Sequence, residues 1–497
     1  MIELAYVSQA KFLHSLLNRM VASFKVCSPE SEVSFKPPAV YRVAGRPFSS
    51  VGSQQSAPEW ILICEGVDAP MSWVLPSRLT KNPIQKVGDN VDKLFVGIDV
   101  GSRDNAVYIM RPDGSKHSSF PVQNNLGGAQ TISKRVVSAL TENELTDVVI
   151  GMEATSVYGD NLMCFLREDG ALARFERTLH VLNPKQVKKF KDVHPDLPKN
   201  DPVDAFVIAD NLRFGRIATP VYMDDYRYKA LQKLTRARFH AVDNLTREKM
   251  RFTNYLFMKC SGLAQEKVFS NNFGATALAV AEVFETPDDI VNMDIKKLTD
   301  FITEQGKNRF PNPDEVAKAV QAAARGSYRL PKTVNDSVHQ IMAISISSMR
   351  AMQAQIKALE KEIARQFENI PNTLISIPGF GPVLSAGIIA EVGDINRFNG
   401  EASLAKYAGL AWNQYQSGTF EGQNSRLIKS GNRYLKYYLY EAAFSIVRCD
   451  TEYKRFYDLK YAEVNKYQHK RALALTARKL VRLVFRLLKD NRLYIPA

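Results

Sequence analysis

LFVGIDVGSRDNAVYIM, residues 94–110, opens on LFVGIDVG, an otherwise apolar run with one carboxylate, Asp99, inside it. Its β-branched and aromatic residues predict two strands joined through the polar GSRD turn. A carboxylate in a strand that is to be buried is unfavourable unless other groups hold or neutralise it. The residues that could meet Asp99 are therefore sought along the chain.

NAVYIMRPDGSKHSSFPVQ continues into a hairpin through Pro112, Asp113 and Gly114, giving a second and a third strand. GGAQTISKRVVSALTENEL is predicted as a helix, DVVIGMEAT as a buried strand, and YGDNLMCFLREDG as a helix stopped by Gly170. RTLHVLN is a further strand, and after a polar loop DPVDAFVIADNLRFGRI returns to helical spacing. Three strands, helix, strand, helix, strand, helix is the order of a ribonuclease H-like fold, a mixed sheet with helices packed on it.

That order places the acidic residues. Asp99 is on the first strand, Glu153 ends the strand VVIGME, and Asp201 and Asp204 open the last helix three residues apart, on one face. In a ribonuclease H-like sheet the strands of Asp99 and Glu153 are neighbours and the last helix crosses their ends, so four carboxylates converge. Alone they would raise one another's pKa. Oxygen ligands in that number suit Mg2+ or Mn2+, and two such ions can clamp the attacking and leaving oxygens of a phosphodiester. Taken singly, Asp99 reads equally as an edge residue, Glu153 as a strand end, Asp201 as a helix N-cap and Asp204 as a first-turn acid favoured by the dipole. Asp104 and Asp210 compete, but a loop position and a place further along the helix suit them less.

The remainder bounds the partners. Of 497 residues, 66 are Lys or Arg and 52 Asp or Glu, a net charge of +14 that favours polyanions, nucleic acid before an anionic membrane, over a merely basic surface. Five dispersed cysteines without a CxxC pair indicate a reducing cytosol and no zinc knuckle. The amino terminus lacks the pattern of a signal peptide. The uncharged stretch 369–390 is broken by Pro371, Pro378 and Pro382, so no membrane span and a cytoplasmic location are expected.

Four regions are predicted. Residues 1–92 form a poorly ordered extension, with Met71 offering a later start. Residues 93–218 are the α/β domain, and 219–368 a helical, coiled-coil-like stalk, packed within one chain or dimerising. Residues 369–497 are a mostly helical domain that opens with LISIPGFGPVLSAGIIAEVG. This last stretch has the form of a helix-hairpin-helix, whose turn at Gly379 and Gly381 would aim backbone N–H groups at a phosphate.

GIDVG, GMEAT and KNDPVDAFVIAD resemble the three segments of a DEDD-type transposase. SIPGFGPVLSAGIIAEVGDINRFNGEASLAKYAGLAWNQYQSG, with IKSGNRYLKYYLYEAA after it, resembles the carboxy-terminal domain of the same proteins. They are the one-ten insertion-sequence family, to which the Piv-type DNA invertases are related. The match begins near Leu94 and leaves out the first ninety or so residues. It implies a RuvC-like metal domain joined to a domain with a nucleophilic serine, matching Ser417 in YQSG. That serine would attack a DNA phosphate to leave a phosphoserine link, activated by the metal across a composite site. Without the family, Ser417 reads as a serine in a Ser-Gly turn. Ser425 and Ser430 are alternatives, and RYLKYYLY raises a tyrosine-recombinase reading that lacks its Arg and His pattern. Trp412 stands where relatives have proline, and Asn200 where they have threonine.

Two basic groups flank the chemistry: Lys185, Lys188, Lys189 and Lys191 before the Asp201 helix, and Arg426, Lys429, Arg433 and Lys436 after Ser417. They either line phosphates or form solvated faces. The family's similarity to RNA-guided recombinases implies a structured bridge RNA as guide, with base pairing supplying sequence, and assembly as a homodimer or homotetramer. A structure-selective RuvC-like nuclease would need the four carboxylates but not Ser417, and an inactive nucleic-acid-binding remnant would need neither.

Overall fold

The computed structural model describes residues 92–154, 157–194, 197–215, 226–413 and 426–496, together with the backbone of Gln416, Ser417, Phe420 and Glu421. The expectations for residues 1–91, Met71 included, lie outside the described residues. The chain divides into two compact units, and the described parts fall on either side of a boundary between Val221 and Tyr222.

The first unit is built on β1 (Lys93–Val100), β2 (Asp104–Met110), β3 (Lys116–Gln123), β4 (Asp147–Glu153) and β5 (Glu176–Leu182), in the order β3-β2-β1-β4-β5. β2 runs antiparallel to β1 and β3, whereas β4 runs parallel to β1 and β5, so the sheet is mixed as predicted. Its hairpin turns at Gly114, whose φ of 90° is open to glycine without strain. Alternation along β1 splits two cores. Leu94, Val96, Ile98 and Val100 pack under α1 (Leu126–Glu142) and α2 (Tyr158–Glu168). Phe95 packs with Val207, Ile208 and Leu212 of α4 (Asp201–Phe214), so Asp99 shares the face of α4.

The polar loop expected before α4 contains a helix, α3 (Pro184–Lys191). Asn183 is its N-cap, accepting from the Lys185 N–H, and Pro184 fills the first turn, where its missing donor is not needed. Lys185, Lys188, Lys189 and Lys191 are therefore helical residues. A second correction falls at the start of α4. The cap is Asn200, whose side chain accepts from the Val203 N–H at 3.0 Å, and Asp201 is the first helical residue. Asparagine and threonine both cap well, so this departure from the family leaves the helix start intact.

The second unit begins with α5 (Tyr226–Lys259) and returns along α11 (Lys332–Phe367). Between them lie α6 (Ser261–Gln265), α7 (Ala275–Val283), α8 (Pro287–Asn292), α9 (Ile295–Gly306) and α10 (Pro313–Arg325). Arg238 pairs with Glu360, Glu248 with Ser345, and Lys259 with His339; rising numbers meet falling ones, so the two long helices are antiparallel within one chain. They contribute to two cores. Phe252, Leu256, Val338, Met342 and Ile346 close over α6–α10. Leu231, Ile363 and Phe367 join the residues of α12 (Pro382–Val392), α13 (Glu401–Tyr407), α14 (Arg433–Cys449), α15 (Thr451–Ala462) and α16 (Gln468–Asp490).

No α-helix lies between Phe367 and the turn at 378–381, where the first helix of a helix-hairpin-helix was expected. Leu374–Ser376 is a single 3-10 turn. Pro371 and Pro378 bracket too few residues for a helix between them, and each disfavours helical backbone just before it. Gly379, at φ 80°, backs onto α14: an added Cβ would lie 2.8 Å from the Ser445 hydroxyl, which donates to the Gly379 carbonyl at 2.7 Å. Gly381 is the N-cap of α12 and faces open space. Among the described residues no helix is long and apolar enough to cross a membrane.

Candidate functional site

Glycine sets the approach of α4 to the sheet. A Cβ on Gly97 would stand 2.1 Å from the Ala205 carbonyl and 2.5 Å from the Ala209 amide, and one on Gly151 would meet Leu212 at 2.8 Å. With only hydrogens there, α4 lies flush across β1 and β4. The parallel pairing of Ile98 with Met152 then brings Asp99 and Glu153, one step further on, to the same end of adjacent strands. Asp204, next to Ala205, comes down beside them, and Asp201 sits one turn back, exposed.

The carboxylates feel one another. Burial lifts the Asp99 carboxyl above its usual range, and the charges of Asp204 and Asp201 lift it further against the Lys191 ammonium and a bond from the Val100 amide. Burial likewise raises Glu153, followed by the charges of Asp99 and Asp204. Lys191, from the end of α3, donates to Asp204 Oδ1 at 2.5 Å. Asp204 thus already holds one cation, a contact for which its sequence gave no warning because α3 was not foreseen.

The donor set, all carboxylate oxygen, fits a hard divalent cation. As they stand, no three acidic, histidine or cysteine side chains among the described residues are grouped closely enough to hold a metal ion. Of the competing acids, Asp104 is exposed at the start of β2. Asp210 is buried and committed to Arg213 at 2.9 Å and His194 at 3.4 Å.

In the second unit, the segment carrying Ser417 is closed at its root. The Ile428 N–H donates to the Ala411 carbonyl and the Asn413 N–H to the Arg426 carbonyl, both at 2.9 Å, around a bridge between Trp412 and Leu427. Trp412 therefore occupies an extended ladder position, which needs no proline. Gln416–Ser417 pairs with Phe420–Glu421. The side chain of Ser417 and all of Ser425 lie outside the described residues. Arg426, Lys429, Ser430 and Arg433 are exposed. Lys436 is turned inward, donating to the Gly409 carbonyl at 3.2 Å, and burial lowers its pKa. Tyr438 is buried and Tyr437 and Tyr440 are partly buried, and burial raises the pKa of all three phenols, which suits packing and opposes a nucleophilic role.

Comparison with known proteins adds the family. Residues 96–258 match a family model described as transposase, of the DEDD type of IS110. Residues 372–458 match one described as transposase, IS116/IS110/IS902 family. The chain is similar to the insertion element IS116 44.8 kDa protein of Streptomyces clavuligerus, with 27% identity over 82% of this chain and 97% of the relative. It is also similar to the insertion element IS900 42 kDa protein of Mycobacterium paratuberculosis, with 24% identity over 81% and 98%. Similarity to T. thermophilus RuvC in complex with Holliday junction substrate is slight, at TM-score 0.20 and 14% identity over 26% of this chain and 98% of that one, and bears no weight. The two family models fall on the two regions whose motifs carried the resemblance, and the chain belongs to the IS116/IS110/IS902 transposase family.

Proposed function

We propose that this chain cuts and rejoins DNA through Ser417, with Asp99, Glu153, Asp201 and Asp204 holding Mg2+ or Mn2+. The observation that carries the reading is that burial first, and neighbouring acids second, raise the carboxyls of Asp99 (through Asp204 and Asp201) and of Glu153 (through Asp99 and Asp204) at one end of the sheet, an arrangement that is unfavourable in a protein without a cation. A divalent ion held there would neutralise the carboxylates and acidify a bound hydroxyl. Ser417 Oγ then forms a bond to phosphorus as the bond from phosphorus to a deoxyribose oxygen breaks. The serine proton leaves, and the departing strand takes one up. The phosphoserine link keeps the bond available for rejoining, which hydrolysis would lose.

The remaining assignments rest on the same reading. Residues 93–218 carry the metal site, 219–368 the helical stalk and 369–497 the serine. Lys185, Lys188, Lys189, Arg426, Lys429 and Arg433, with the open N-cap at Gly381, contact DNA or RNA backbone, supported by the net charge of +14. A structured RNA guides the chain to its target, and the active form is a homodimer or homotetramer.

The test uses the purified full chain with DNA from the flanks of its gene, Mg2+ or Mn2+, and detection of a covalent protein–DNA adduct. Adduct lost on Ser417→Ala, on Asp99→Asn and on chelation is the expected result. Cleavage that persists in Ser417→Ala without an adduct would identify a nuclease instead. Recovery of a discrete RNA from the purified protein tests the guide separately.

A further inference from the structure

Glu391 lies in the apolar run of α12 and has no exposed side-chain surface. Both its oxygens are used. Arg236 of α5 donates to them from Nε at 2.7 Å and Nη2 at 2.9 Å, Asn432 Nδ2 donates to Oε2 at 2.7 Å, and Gln232 Nε2 reaches it at 3.4 Å. A charge buried this deeply is tolerated only with its lone pairs satisfied, and such a network fixes one geometry.

What it fixes is the root of the segment containing Ser417. Asn432 caps α14 by accepting from the Tyr434 and Leu435 amides at 2.9 and 3.1 Å, and its own N–H donates to the Tyr407 carbonyl at 2.7 Å. Its Nδ2 also donates to the Tyr407 hydroxyl at 3.1 Å. The two chain directions therefore meet at Tyr407 and Asn432. Just beyond, Gly409 and Gly431 lie so close that a Cβ on Gly431 would stand 2.5 Å from the Gly409 amide. Arg397 completes the frame by donating to the Glu391 and Val392 carbonyls while lying over the Tyr407 ring.

We propose that Glu391 is a positioning residue for strand transfer: through Asn432 and Arg236 it holds the base of the 408–432 segment, and so the aim of the serine. This rests on the serine reading above. Nucleophilic attack requires the reacting atoms near 3–3.5 Å in line, so a loosened root lowers the rate without weakening the grip on DNA.

The test compares the full chain with Glu391→Gln and with Asn432→Ser, which keeps a capping oxygen but cannot span to Glu391. Asn432→Ser decides the matter if Glu391→Gln does not fold. The expected result has three parts. Ser417-dependent adduct with the flanking-DNA duplex forms at least tenfold more slowly. Affinity for that duplex stays within twofold. Protease cleavage inside 408–432 accelerates at least tenfold, with cleavage elsewhere unchanged. Adduct formation or cleavage inside 408–432 that stays within twofold of the parent overturns the proposal. If the parent forms no Ser417-dependent adduct, the serine reading has failed, and the cleavage comparison alone still decides whether Glu391 anchors the segment.

Discussion

At the residue scale, the acidic end of the sheet works against the fold that carries it. The Asp99 carboxyl is held above its ordinary range in the folded chain, so the folded state binds its proton more tightly than the unfolded one. Its ionisation is therefore destabilising at pH above the raised value, and the penalty fades as pH falls through that value towards the ordinary one. In metal-free protein at neutral pH, Asp99→Asn is expected to raise stability by about 1 kcal/mol, or about 2–4 °C in a domain of this size. Calorimetry across pH checks this: the difference from the parent shrinks on acidification, and Mn2+ reverses its sign by stabilising the parent alone. Lys191→Gln removes the ammonium from Asp204, a contact between partly exposed groups worth about 0.2–1 kcal/mol. Apparent Mn2+ affinity, measured by titration calorimetry, should rise by about 1.4–5-fold. The faces of Asp99, Glu153 and Asp204 were legible because strand alternation and a spacing of three leave little freedom. Lys191's partner was not, because it depends on where α3 ends in space, and Glu391 was hidden as one charge in a helix read as apolar.

At the element scale, the close approach of β1 to α4 rests on Gly97. Gly97→Ala would drive a methyl into the Ala205 carbonyl, and a loss of about 2–3 kcal/mol in denaturant unfolding is expected, with the Asp99 and Asp204 carboxylates forced apart. In the helical hairpin, Lys259 is buried, with its ammonium on the Ala281 carbonyl at 2.8 Å and beside His339 Nδ1 at 2.7 Å. Burial lowers its pKa to about 8. A lysine that is easier to deprotonate when folded lends stability as pH rises from about 8 towards its ordinary 10.5. Unfolding followed across that window should show the parent gaining on Lys259→Met by about 1–2 kcal/mol. The long helices were legible from their apolar spacing, and the intervening sequence from its Asp and Pro content. The helix missed before Asp201 did announce itself, in the Asn183-Pro184 pair that caps and starts it. The helix wrongly expected before Gly379 came from giving the apolar pattern more weight than two prolines.

At the scale of the whole molecule, the net charge of +14 makes association with nucleic acid a matter of displaced counterions. Log affinity for duplex DNA should fall linearly with log salt. Lys188→Ala and Lys189→Ala should each reduce the slope by about 1 while weakening all sequences alike, as fluorescence anisotropy at several salt concentrations would show. The antiparallel pair of α5 and α11 carries a different consequence. One core grips it at Leu231, Ile363 and Phe367, and a separate one at Phe252, Val338 and Met342, with Arg238–Glu360 between. From Leu231 to Phe252 the helix rises about 30 Å at 1.5 Å per residue. A rod clamped at both ends works as a gauge. Its length can change only in steps that keep both grips on their faces, about two turns or 10 Å for seven residues in each helix, so the spacing it sets is quantised by the helical repeat.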